Sequence, residues 1–221
     1  MNDPYFDLLM WARGPGFTIA LVVLAGGIIL RLTEILFLGR KTDLAPAKGN
    51  AVVAGLKTIF TRSVPREGLV KFSPVTYIGG YVFHIAFFIA FLLFGPHIAL
   101  IKSVIGLSWP DAGRVIIESA AVIALVAMLA LLYSRITDPV RRSISGFQDY
   151  LVWVLTVLPL ITGYIAVNKL IGDGTLMMAL HILSAEMLMI AFPFTKLMHA
   201  VTFITSRYYN GAIQGRKGAE S

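Results

Sequence analysis

The order of apolar and polar positions divides this chain into five long apolar runs separated by shorter polar, charge-bearing segments. A helix needs about 20 apolar residues to cross the hydrocarbon core of a bilayer. Five windows have that length: residues 17–38, 75–101, 115–133, 148–167 and 175–204. The first contains Arg31 and Glu34, three residues apart and able to pair on one helical face. No heptad, fixed-period repeat or low-complexity tract appears. The pattern therefore predicts an all-α integral membrane protein, a five-transmembrane-helix bundle forming a single domain over residues 1–221. Residues 39–74 make the one sizeable aqueous loop. Its stretch from Ala51 to Phe60 suits either a short helix along the membrane interface or a docking surface for a cytoplasmic partner.

Composition points the same way. Of 221 residues, 57% are hydrophobic and 14% charged, and the mean hydropathy is +0.79. A soluble domain needs more polar surface than that. Cysteine is absent, which excludes disulfides, cysteine-ligated iron–sulfur clusters and covalent haem attachment through C-x-x-C-H. The net charge of +7 follows topology rather than a nucleic-acid face. Arg40, Lys41, Lys48, Lys57, Arg62, Arg66 and Lys71 lie in the long loop, and Arg135, Arg141 and Arg142 between spans three and four. Lys196, Arg207, Arg216 and Lys217 crowd the C-terminal end. The opposite side holds Arg13, Lys102, Arg114 and Lys169. Fourteen against four predicts the N-terminus outside and the C-terminus in the cytoplasm. The acidic start, Met1 to Asp7, has no basic n-region, and no small-residue cleavage site follows the first apolar run. That run is expected to be retained as a span.

All four histidines fall in, or at the ends of, spans two and five: His84 and His97 in the second, His181 and His199 in the fifth. An ionisable side chain inside a membrane is costly and marks a functional position by default, whereas a neutral histidine bonded to a backbone carbonyl is its plain structural alternative. Two on each of two helices is the pattern that bis-histidine ligation of haem b requires, one imidazole from each facing helix at matched depth. His181 and His199 are 18 residues apart, which on a straight helix is five turns, one stripe and roughly 27 Å of rise. His84 and His97 are 13 apart, roughly 20 Å of rise but roughly 140° out of phase. Gly95-Pro96 immediately precedes His97, and a proline kink there brings His97 round to the bundle interior. Antiparallel spans then match His84 with His199 at the cytoplasmic depth and His97 with His181 at the outer depth.

The segment Phe192-Pro193-Phe194-Thr195-Lys196-Leu197-Met198-His199, with Leu180-His181 eighteen residues before its histidine, resembles the last helix of the haem b (gamma) subunit of respiratory nitrate reductases. Phe83-His84-Ile85-Ala86 resembles the start of that family's second helix, and Leu30-Arg31 the end of its first. The likeness covers residues 17 to 210 and extends to related subunits of sulfite-reductase-associated and heterodisulfide-reductase-like membrane complexes. It implies two haems b, a multi-pass position in a prokaryotic inner membrane, and a cytoplasmic iron–sulfur subunit and catalytic subunit as partners. In the family the second histidine of span two follows the first by about ten residues; here Phe94 holds that position and His97 comes three residues later. His97 is therefore either a haem ligand or a hydrogen-bonding partner of a quinone.

Haem propionates are anions that prefer basic partners. Lys196, three residues before His199, is the first candidate, followed by Arg31 and Arg142; ordinary snorkelling at the membrane surface is the plain alternative. The resemblance suggests that a loop lysine contacts quinone, which puts Lys102 and Ser103 forward. Glu118 and Glu186, both in apolar spans, are either proton carriers or carboxyls buried neutral. The expected function is electron transfer between the quinone pool and a cytoplasmic iron–sulfur partner, with quinol oxidised near the outer face and protons released there. The alternatives are a single-haem membrane anchor and a histidine-relay proton channel or transporter. Against a transporter, the sequence shows neither an internal repeat nor paired broken helices at corresponding positions.

Overall fold

A computed structural model describes residues 3–38, 44–65 and 68–219; Arg40, Lys41 and Arg66 of the basic loop lie outside them. All regular structure among the described residues is helical. Five helices are long and apolar enough to cross a membrane: α1 (Phe6–Phe37), the helix beginning at Pro74, that beginning at Arg114, that beginning at Phe147, and the segment Gly174–Phe194. In chain order the remaining labels are α2 (Ala51–Thr61), α3 (Pro74–Leu92), α4 (Gly95–Ile105), α5 (Arg114–Thr137), α6 (Phe147–Asn168), α7 (Gly174–Ala191) and α8 (His199–Arg216).

Three expected boundaries are corrected. Span one begins at Phe6, eleven residues before the expected start. Pro15 has no N–H for an α-type bond, and the chain absorbs it in a wider π turn, Ala12–Gly16, instead of ending the helix. Span two is broken. Helix α3 stops at Leu92, Phe94 is extended (φ −89°, ψ 123°), and α4 starts anew with Pro96 in its first turn. Span five is broken as well. Helix α7 ends at Ala191, Pro193 sits in a 3₁₀ turn, and Thr195 is extended (φ −126°, ψ 179°) before a second 3₁₀ turn leads into α8. The five-turn arithmetic linking His181 to His199 presupposed a straight helix and does not apply. Nor are the spans unbroken; what speaks against a carrier is the lack of an internal repeat alone.

The helices cluster into two compact units, Met1–Leu21 with Ser73–Met189, and Val22–Phe72 with Ile190–Ser221. In the first, α3 lies along α5. Small side chains on α5 (Ala120, Ala121, Ala124, Ala127) are buried there with Phe83, Ala86 and Ala90 of α3. Small residues let helix backbones approach closely where lipid removes the usual hydrophobic driving force. Trp153 of α6 donates its indole N–H to the Met128 carbonyl at 2.8 Å, and Arg135 pairs with Asp149 at 3.3 Å. In the second unit, α2 lies along α8. The stretch from Ala51 is thus a helix, capped by the Asn50 side chain on the Val53 N–H. It buries Thr58 against α8 and leaves Val52, Leu56 and Phe60 exposed along one line.

Candidate functional site

The break after α3 frees backbone carbonyls, and each is taken by a different group. Trp109 Nε1–H donates to Leu92 O at 2.7 Å, the Ala112 N–H donates to Leu93 O at 3.1 Å, and His97 Nδ1 bonds to Phe91 O at 2.9 Å. A carbonyl can only accept, so His97 carries its proton on Nδ1 and keeps a lone pair on Nε2. Pro96, lacking an N–H, fits the first turn of α4 at no cost in hydrogen bonds. His97 is half-buried beside Phe91 and Phe94, with ring centroids 5.4 Å and 5.1 Å away.

His181 comes from the middle of α7. Its Nδ1 bonds to Pro159 O at 3.1 Å, with Thr162 Oγ1 at 3.4 Å. Gly163, one turn beyond Pro159 on α6, makes the approach possible: a Cβ there would lie 2.9 Å from His181 Cε1 and 3.0 Å from Nδ1. Thr162 also reaches Ser184 Oγ at 3.1 Å, and Ser184 bonds back to His181 O at 2.8 Å. Both ends of the histidine are thus braced. The His97 and His181 rings stand 6.0 Å apart between centroids and 21° from parallel. The break at Pro96 therefore accompanies the juxtaposition for which a kink was expected.

The other two histidines are also bonded through Nδ1 to backbone carbonyls, each within its own stretch of helix. His84 Nδ1 bonds to Gly80 O one turn earlier on α3, at 2.7 Å, and its ring lies 5.0 Å from Phe83. His199, the first residue of α8, bonds through Nδ1 to Lys196 O at 2.7 Å. Both are exposed; His84 belongs to the first unit and His199 to the second. In all four cases Nδ1 is bonded to a backbone carbonyl, the bond of the plain structural alternative and equally the second bond of a histidine that ligates metal through Nε2.

The remaining candidates divide. Lys196 is exposed beside His199 within the second unit. Arg31 is engaged twice, by Glu34 at 2.7 Å and by the Pro193 carbonyl at 3.2 Å, while Arg142 is exposed on the short turn Pro139–Ser143. Lys102 is exposed on α4, and the neighbouring Ser103 hydroxyl is turned back onto Leu100 O at 2.7 Å. Glu118 pairs with Arg114 at 2.5 Å; the i,i+4 spacing of the two was the sequence signal for it. Glu186 is buried, and its Oε1 has no hydrogen-bond partner. Among the described residues no three His, Asp or Glu side chains converge on one point; an axial imidazole pair needs only two.

No family model matches the chain. It is similar to a protein of Nitratidesulfovibrio vulgaris (strain Hildenborough), with 25% identity over 202 residues, 88% of either chain. The likeness thus extends over most of both proteins.

Proposed function

We propose that the chain is a di-haem b membrane subunit of a respiratory oxidoreductase complex, transferring electrons between the quinone pool and a cytoplasmic iron–sulfur and catalytic partner. The observation that carries this reading is the His97–His181 pair, 6.0 Å apart and near parallel, with both Nδ1 atoms engaged on backbone carbonyls. Two histidines whose Nδ1 is engaged, leaving Nε2 as the ligating nitrogen, are a donor set that suits haem b. Bound there, haem b would supply reversible one-electron transfer.

What the chain's own residues do follows from their contacts. Phe91 O and Pro159 O hold His97 and His181 in the ligating tautomer and raise the basicity of Nε2. Phe91 and Phe94 flank His97 with apolar surface, which limits water at the ring. The resemblance of the sequence motifs alone carries the inner pair of the proposal, His84 and His199. Lys196, exposed three residues before His199, is the first candidate for an inner propionate, with Arg31 and Arg142 after it. Lys102 remains the quinone candidate on α4; the Ser103 hydroxyl is spent on its own helix. With no cysteine in the chain, substrate chemistry belongs to the partners. The bias of basic residues supports an N-terminus outside a prokaryotic inner membrane.

A visible absorption spectrum of the purified protein tests the reading. Reduced b-type bands with two haems per chain are expected, and their complete absence overturns it. The broken second and fifth spans favour a carrier as the second reading. That reading requires a haem-free protein that moves protons or solute across vesicles.

A further inference from the structure

Glu186 lies on α7, which contains His181 as its other titratable side chain. It is 5% exposed, and Oε1 meets no donor. Opposite it is the π turn of α1. A Cβ at Gly16 would stand 2.8 Å from Glu186 Oε2, 3.1 Å from Oε1 and 2.8 Å from the Trp11 ring. A glycine is thus required for the carboxyl and the indole to share this space. The contacts from α1 carry no charge: Trp11 and the Gly16 backbone are neutral, while Asp7 and Arg13 of the same stretch are exposed. The ion pairs among the described residues are Arg31–Glu34, Arg114–Glu118, Arg135–Asp149 and Arg141–Asp138, and none includes Glu186. Glu118, the other carboxyl of an apolar span, is neutralised by Arg114.

We propose that Glu186 is a membrane-embedded proton-exchange site coupled to reduction of the His97–His181 centre. The proposal rests on the functional reading above. Glu186 follows His181 by five residues, roughly 7.5 Å along the helix and roughly 140° round it, so the coupling acts through the apolar interior and not by contact. Oxidised haem held by His97 and His181 would bear net positive charge and favour the carboxylate. With that charge cancelled by one electron from a quinol, the carboxylate would be left unpaired in apolar surroundings. Glu186 would then take one proton from the aqueous phase and return it on oxidation. One electron and one proton enter together, and no bond beyond the carboxyl O–H is made or broken.

The test is redox-difference infrared spectroscopy, with visible spectra recorded on the same samples, for the intact protein, Glu186→Gln and Glu118→Gln. A protonated-carboxyl C=O band is expected to appear on reduction, to persist in Glu118→Gln and to vanish in Glu186→Gln. The midpoint potential of the outer haem should fall by about 59 mV per tenfold drop in proton concentration when one proton accompanies one electron, and that slope should flatten in Glu186→Gln. Helical circular dichroism establishes that the variant is folded. Haem that reduces normally with no carboxyl band, or a band unchanged in Glu186→Gln, overturns the proposal. Absence of reducible haem in the intact protein is read separately, from the visible bands; it sinks the functional reading and the coupling with it.

Discussion

Two proline breaks, one before His97 and one before His199, use the same residue type to different ends. At the first, the carbonyls of Phe91, Leu92 and Leu93 are taken by His97, Trp109 and Ala112. The break thereby anchors a loop nearly twenty residues away and seats His97 6.0 Å from His181. At the second, the Pro193 carbonyl is taken by Arg31 of α1, and Thr195 caps the following turn through its hydroxyl on the Leu197 N–H at 3.4 Å. Here His199 finds its carbonyl three residues back, within its own turn. Proline at a break thus decides only that carbonyls go unpaired. Which side chains satisfy them decides what the break builds.

The largest way to break this contrast is Gly163→Val. The added side chain invades the His181 ring position, and overpacking of this kind costs about 1–3 kcal/mol. One haem should be lost per chain while helical content persists, measured by haem-to-protein ratio and circular dichroism. Trp109→Phe should come next. It strands the Leu92 carbonyl at about 1–2 kcal/mol, seen as a lower unfolding temperature in detergent and faster hydrogen exchange at Ala112. Arg31→Met should cost less, about 1 kcal/mol or below, because the Arg31 and Glu34 side chains are both partly exposed. Equal losses from Trp109→Phe and Arg31→Met would erase the distinction between the breaks.

The smallest effect concerns the entry to α7. The Thr175 hydroxyl and the Tyr5 N–H both donate to Asp3 and hold its carboxyl below the ordinary range. A lowered native value means the contribution is complete above the ordinary carboxylate pKa and is lost as pH falls through the native one. Thr175→Val should therefore lower the unfolding temperature slightly at neutral pH, where the contribution is complete, leave it unchanged below the native value, and so make thermal unfolding less sensitive to acid.

Spans three and four were legible to within four residues and one residue respectively, 115–133 against Arg114–Thr137 and 148–167 against Phe147–Asn168, because each is an uninterrupted apolar run. Span one was read short. Asp7, Arg13 and Gly14-Pro15-Gly16 look like punctuation, yet a π turn carries the helix through them. Span five was measured as if straight, and Phe192-Pro193 ended that regularity. Of the site, the swing of His97 towards His181 was legible from Gly95-Pro96. The fixed tautomers were not, since they depend on where the freed carbonyls of a break come to lie. The difference between Glu118 and Glu186 was half legible: Arg114 stands four residues before the first, whereas the isolation of the second is set by α1 folding against it.

The central claim is that His97 and His181 together hold a haem. Its most direct test is the haem-to-protein ratio of His97→Ala beside the intact protein, by pyridine haemochrome. The account predicts two haems per chain in the intact protein and one in the variant, with the remaining haem held by His84 and His199. Two haems in both proteins would contradict it and assign His97 to quinone instead.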